Sequence, residues 1–553
     1  MRLGFLRQIG ASIALALCVL PAAVGANQTP VDRADPSVVQ DQLRQDERAR
    51  PRARPSITIA RPSVGRSDIE GTILVGAIRV GGATMLPPSA FAAVIENYMG
   101  RSLAPEDLQR LASDVADVAR AAGFGLATAW VPQQRVSNGV LTVVLDEGRI
   151  DDVEVEGNAG LVRTALAPLA QGRPVRTAEL ERRLLIAGDL SGVRLGKARL
   201  ERRGGKNILV VEALRKRVET RAFVDNWGSA TVGPVRARLT VDLNGLLDEA
   251  DQLTVGGVVT PLQPKEFALG HAAYTLPIGS GGTEAGIGGY FALSHPGGAL
   301  ADRDIEGRSV EIHASLRHPF VRSRSASIWG GIDLRVRDAS QELGGIKVRD
   351  DRLTILGGNL IASQQFSSTR LRGRLLVAQG LDLIDATEEG DPLASRVDAS
   401  AVFTKLEAWG ELEHAFSRQW GVALQAEGQI ADGPLLSSEE MGLGGKSFGR
   451  AWDYREYSGD RGIAGSAELR FDIEKLPRPL WMIQLYGYAD AGMVRNYRGG
   501  FGSGSLASAG GGVRIWLRNG LEAGIEAAFP LTDGSDPAAD RDPRFSFTLG
   551  GRF

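Results

Sequence analysis

The sequence predicts a transmembrane β-barrel of about 16 antiparallel strands preceded by two small α+β domains, and three observations carry that reading. From Val218 to the last residue, stretches of about 8 to 12 residues alternate apolar and polar side chains between clusters of Gly, Pro, Asp and Ser. Ahead of them, residues 71–214 contain the order strand, helix, helix, strand, strand twice. Beyond residue 26 there is no run of about 20 apolar residues, so no segment there suits a membrane-spanning helix.

Composition narrows the choice further. The 64 Lys+Arg nearly cancel the 66 Asp+Glu, leaving a net charge of -2, so no basic nucleic-acid-binding surface is signalled. An apolar content of 43% excludes a disordered chain of high charge. The one Cys, Cys18, excludes an internal disulfide framework and a multi-Cys zinc or iron-sulfur site. Gly accounts for 70 of 553 residues, well above the usual share of about 7%.

Residues 1–26 read as a secretory signal peptide. Arg2 and Arg7 precede an apolar run over 9–24 that ends in the small residues Val24, Gly25 and Ala26. Cleavage after Ala26 leaves a mature chain without Cys. Lipoprotein processing at Cys18 fits poorly, because Leu17 stands where a small side chain is needed. Residues 27–70 are polar and rich in Pro and Arg. Asp35-Pro36 suits a helix cap and first turn, and residues 37–50 carry no Gly or Pro, whereas the Pro-rich run behind them cannot continue a helix. The composition fits a short helix on a flexible tether and also a simply unstructured segment.

The first small domain spans 71–149, with a strand over 74–80, helices over 88–98 and 105–122, and strands over 126–131 and 141–145. The second spans 150–215, with a strand over 150–156, helices over 161–169 and 177–189, and strands over 193–200 and 208–211. Gly81-Gly82 and Gly157-Asn158 follow the first strand of each copy, where the chain must turn into a helix.

The barrel is assigned to 216–553. In its second strand Val235, Ala237, Leu239, Val241 and Leu243 share one face, and Arg236, Arg238, Thr240 and Asp242 the other. Strand starts are expected near residues 218, 235, 252, 266, 284, 309, 325, 352, 369, 403, 420, 466, 482, 508, 521 and 545. A soluble sandwich would alternate too, but charges on the second face of so many strands, with no helix to cover a sheet, describe a water-filled lumen. Closure is required, since an open edge in lipid leaves backbone groups unpaired. At the C-terminus Phe545, Phe547, Leu549, Gly551 and Phe553 fall on one face.

Enzyme motifs are missing from the pattern. His271, His295, His313, His318 and His414 show no HExxH spacing, and His313 and His318 are five apart on a strand, hence on opposite faces. The run from Gly442 to Ser447 ends like a phosphate-binding loop, but Glu440 stands where its first Gly belongs and no strand-loop-helix unit surrounds it. The stretch that does stand out is the loop over 431–462. It carries Arg450, Trp452, Tyr454 and Tyr457, too aromatic for a solvated linker, and is expected to pack in the lumen. In the thirteenth strand Gln484, Tyr486, Tyr488, Asp490 and Gly492 share the lumen face. Asp490 then lies within reach of Arg450 for a charge-assisted bond, with Glu468 a second acceptor. The alternative on residues alone is a solvated Arg450 and an Asp490 that is one lumen carboxylate among many.

Two such repeats before a 16-strand barrel resemble the outer-membrane transporters of two-partner secretion, the haemolysin and filamentous-haemagglutinin secretion-activation family. The repeats resemble POTRA domains, and the likeness covers nearly the whole mature chain. Phe448-Gly449-Arg450-Ala451-Trp452 is similar to the family's VRGY/F loop motif, departing from it at Gly449 and Ala451. Tyr488, Asp490 and Gly492 fit its [F/G]xDxG partner motif, with Tyr at the first position. Residues 130–150 resemble the end of the first POTRA domain, and 224–229 the start of the barrel. Phe545, Phe547, Leu549 and Phe553 look like a C-terminal insertion signal.

The resemblance implies a bacterial outer-membrane pore whose POTRA domains, in the periplasm, bind an unfolded partner polypeptide for passage to the surface or beyond. The N-terminal helix resembles the family's plug. It implies no cofactor, metal, enzymatic activity or nucleic acid. The partners implied are one secreted, large, β-helical polypeptide, outer-membrane lipid, and the barrel-assembly machinery during biogenesis. A barrel-assembly factor is the main alternative, and a passive porin would leave the two repeats unexplained.

Overall fold

The structure is a computed structural model, and it describes residues 34–40, 42, 58–59, 67, 69, 71–136, 138–498, 502–535 and 541–553. The expected signal peptide and most of 27–70 lie outside the described residues.

Both small domains are built in the same way. In the first, strand Ala77–Gly81 runs parallel to Val140–Asp146, which pairs antiparallel with Thr128–Trp130. Helix Pro105–Ala121 starts with Pro in its first turn, where a missing N–H costs nothing, and Asp107 accepts from the Ala104 amide at 3.0 Å. Leu108, Leu111, Ala112, Val115, Ala116 and Ala119 recur at three- and four-residue spacing, so one stripe of the helix is buried against the sheet. The strand expected over 74–80 is broken in two. The Gly76 and Ala77 amides both turn to the Gly139 carbonyl, which frees Ile73–Val75 to pair with Arg101–Leu103.

In the second domain Asp152–Gly157 runs parallel to Lys206–Arg215, which pairs antiparallel with Val193–Arg203. Helix Thr177–Asp189 buries Leu180, Leu184, Leu185 and Ala187. The outer edge of Val193–Arg203 is occupied by Thr58–Ile59, running parallel from the N-terminal segment. The opposite side of the same helix meets the barrel. Arg182 and Arg183 donate to the carbonyls of Pro319 and Ser280, each at 2.7 Å, and Asp189 receives two bonds of 2.7 Å from Arg322.

The barrel is closed and has sixteen strands. Each pairs antiparallel with its neighbours, and the first, Val218–Asp225, closes on the last, Arg544–Arg552, from Arg221↔Arg552 to Asp225↔Thr548. Strand starts follow the alternation closely. The largest offset is at the eighth strand, which begins at Ile346: its first residues, Ile346 to Asp351, mix apolar and charged side chains and yet pair with the end of the seventh strand. Leu371, Leu375 and Val377 of the ninth strand face outward, while Arg370, Arg372 and Arg374 face the lumen and pair with Glu413, Glu411 and Glu407 of the tenth. The rim nearest the small domains carries short turns, and the opposite rim carries the long connections over 382–403 and 432–460.

Candidate functional site

The loop over 432–460 folds back into the barrel instead of projecting from the rim. Met441–Leu443 and Tyr457–Gly459 pair as a small hairpin, and apolar residues of the loop bury themselves against the wall: Leu443, Phe448 and Tyr457 pack with Ala464, Val494 and Leu506. Two wall glycines make this possible. A Cβ on Gly492 would come within 2.6 Å of Leu443, and one on Gly504 within 2.4 Å of the Tyr457 ring. The Gly of the strand motif is therefore explained by what lies on it.

At the tip Gly449 adopts φ +71°, a conformation that Gly tolerates and a β-branched residue resists. Its amide donates to Asp490 Oδ1 at 2.9 Å, and the Arg450 amide donates to Ser508 Oγ at 3.1 Å. Ser508 in turn donates to Asp490 Oδ1 at 2.6 Å. Asp490 is thus the anchor of the loop backbone, at 1% exposure.

The Arg450 side chain differs from the sequence expectation in detail. Its Nε lies 3.5 Å from Asp490 Oδ2 as an ion pair without a hydrogen bond. The guanidinium donates to Glu526 at 3.2 Å, to Ser466 at 3.3 Å and to Glu468 at 3.5 Å, and its carbon sits 3.9 Å over the Tyr488 ring. Glu468 is also held by Arg514 at 2.7 and 3.0 Å and by Arg470 at 2.6 Å. Tyr486 and Tyr488 donate their hydroxyls to Glu526 at 2.7 and 3.1 Å. Three carboxylates and three guanidiniums share the site, so the buried Asp490, Glu468 and Glu526 are each balanced by a cation, Arg450 being buried with them and Arg470 and Arg514 partly exposed.

The other motif residues have places of their own. Ala451 packs on Tyr486, Tyr488 and Ala528. Trp452 lies against Gly534 of the last long connection. Phe545, Phe547, Leu549 and Phe553 are exposed on the outer wall. Glu526, Ser466 and Ser508 were outside the sequence expectation. The alternation of Glu522, Gly524 and Glu526 is a signal that could have put the glutamate on the lumen face, but nothing in the sequence says where the loop tip lands.

A second segment occupies the lumen. Residues 36–40 are helical, and Asp35 caps them by accepting from the Ser37 amide at 2.8 Å and the Ser37 hydroxyl at 2.6 Å. The Ala34 carbonyl accepts from Ser294 at 2.8 Å, Gln40 reaches Glu311 at 3.4 Å, and Gln42 reaches the Trp227 carbonyl at 3.0 Å. Pro36 rests on Gly307, where an added Cβ would come within 2.7 Å of the ring. Among the described residues no group of three potential metal ligands is found.

Comparison with known proteins agrees with this arrangement. Residues 204–515 match the model of the haemolysin secretion/activation protein ShlB/FhaC/HecB family, and residues 73–148 match the ShlB-type POTRA domain. The chain is 24% identical over 476 residues to the heme/hemopexin transporter protein HuxB of Haemophilus influenzae strain 86-028NP, covering 81% of each. Two solved structures share the fold. CdiB from Escherichia coli superposes with a TM-score of 0.71 at 20% identity, over 96% of this chain and 100% of that one. CdiB from Acinetobacter baumannii does so with 0.64 at 15% identity, over 95% and 99%. With more than half its length matched, the chain belongs to the haemolysin secretion/activation family: it is an outer-membrane β-barrel transporter with periplasmic POTRA domains, and it secretes a partner protein.

Proposed function

We propose that the chain threads one large, β-helical partner polypeptide, unfolded, through the lumen to the cell surface without nucleotide hydrolysis. The loop motif around Arg450 sets the position of the inserted loop during that passage. The observation that carries this reading is the seating of the loop tip on Asp490, Glu526 and Glu468, which supplies a charged anchor for a segment lying across the path. The helical residues 36–40 form a second obstruction, held in the lumen by hydrogen bonds to Ser294 and Glu311 and by packing of Ala34 and Val39 with Phe267 and Leu269, and it must leave before the partner passes.

Recognition of the partner by strand addition at a POTRA sheet edge is supported by Thr58–Ile59, which already occupies such an edge on Val193–Arg203. Folding of the partner outside the cell supplies direction. Insertion of the barrel itself uses the exposed C-terminal face from Phe545 to Phe553 and the cell's barrel-assembly machinery.

Deleting the gene is expected to trap one exported protein in the periplasm, read by fractionation. General loss of outer-membrane barrels would instead make the chain an assembly factor. Arg450→Ala is expected to abolish secretion while the barrel still inserts, and undiminished secretion by that variant rejects the role given to the loop.

A further inference from the structure

The neck of the inserted loop, at the outer rim, is held by a residue that belongs to a different loop. Arg396 lies in the 382–403 connection between the ninth and tenth strands, and its guanidinium is buried. Nη1 donates to both oxygens of Asp460 at 2.9 Å, and also faces Glu440 at 3.3 Å and Asn496 at 3.0 Å. Nη2 donates to the Tyr497 carbonyl at 2.6 Å, and Nε donates to Asp398 at 2.7 Å. Glu440 lies on the arm that enters the lumen and Asp460 on the arm that returns. Asn496 and Tyr497 begin the next outer connection. One side chain therefore ties three loops together.

The surroundings are arranged to receive it. Asp460 is fully buried and accepts from the amides of Leu435 at 2.8 Å and Tyr497 at 2.7 Å, so its carboxylate is fixed before any cation arrives. The Glu440 side chain is 4% exposed and lies beside Arg455, which donates to it at 3.1 Å. The 382–403 connection is itself attached to the wall: the Asp350 amide donates to the Leu393 carbonyl at 2.7 Å, and the Ser395 amide to Asp351 at 2.8 Å. Ala394, Ala399, Ala401 and Phe403 then cover Leu435 and Leu436 of the inserted loop, closing an apolar lid over its neck.

We propose that Arg396 is a positioning residue for secretion: it clamps the two arms of the inserted loop to the outer rim, and this clamp must open before the loop can leave the path. The clamp is separate from the Arg450 anchor, which holds the tip from below. It rests on the reading that the loop obstructs the pore. Removing Arg396 leaves Asp460 buried without its cation, a situation that favours any loop position in which the carboxylate reaches water. A lysine in its place carries one ammonium and cannot span Asp460, Tyr497 and Asp398 together.

The test is single-channel conductance of the purified full chain in planar bilayers, with no partner present. Arg396→Ala is expected to raise the fraction of time spent in large openings by roughly tenfold over the wild type, with Arg396→Lys between the two. Heat-modifiable gel mobility reports that the barrel itself is unchanged, and if Arg396→Ala does not insert, Arg396→Gln is measured in the same way. Wild-type conductance in an inserted Arg396→Ala or Arg396→Gln barrel overturns the clamp. Arg450→Ala, recorded in parallel, separates the two failures: if it opens the pore while the Arg396 variants do not, only the clamp is rejected, and if neither opens it, the loop is not the obstruction.

Discussion

Arg450 divides its work between backbone and side chain. Asp490, the residue that sequence parity singled out, holds the loop through the Gly449 amide and Ser508, while the guanidinium bonds chiefly to Glu526. Asp490→Asn keeps an oxygen for both donors and is expected to retain part of the secretion, whereas Asp490→Ala removes the acceptor for two buried donors, which costs about 1–3 kcal/mol for each unsatisfied group, and should abolish it. Glu526→Gln is expected to fall between them, because Glu468 and Asp490 remain beside the arginine. Secretion measured in the three variants, with barrel insertion checked in each, decides the order. Asp490 was legible because a strand's period of two fixes which side chains share a face. Glu526 was not, since the meeting of a loop tip with a distant strand leaves no period in the sequence.

The elements that carry the gate were unevenly legible. Helix Thr177–Asp189 matched its expected bounds because its apolar spacing and its flanking turns agree. The hairpin of Met441–Leu443 with Tyr457–Gly459 was missed: three residues on each side are too few to show an alternation, and the wall, not the strand sequence, stabilises it. Gly307 gives a test of the N-terminal helical segment. Gly307→Val places a branched side chain where Pro36 and the Ser294 hydroxyl already touch, so the segment is expected to leave the lumen and ionic conductance to rise, with gel mobility unchanged. Bilayer recording checks it. The contact between Asp189 and Arg322 is a partly buried bidentate pair, and it fixes the second POTRA domain against the rim through side chains that no local pattern announces.

For the whole molecule, the barrel was legible almost strand for strand, because sixteen repetitions of one alternation outweigh the ambiguity of any single stretch. Its closure was legible only as a physical requirement. Phe553 shows how it is met: its amide donates to the Thr220 carbonyl at 2.9 Å and its carbonyl accepts from the Thr220 amide at 3.2 Å, so the last residue fastens the seam while its ring faces lipid. Removing Phe553 loses both bonds along with the aromatic contact. The expected result is a lower fraction of heat-modifiable barrel in the outer membrane, and an unchanged fraction would mean that the seam closes without it.

The cross-strand ion pairs of the lumen wall, such as Arg370 with Glu413, Arg374 with Glu407 and Arg221 with Asp242, have a bearing on permeation. Each of these three cations is neutralised by its neighbour on the next strand, so these positions form no ring of one sign of the kind that selects ions. In a salt gradient the opened pore should therefore give a reversal potential near zero, passing K+ and Cl- almost alike. At these paired positions an extended chain meets neither an acidic nor a basic trap, so there the charge of a cargo segment should set little of the friction it meets on the way out.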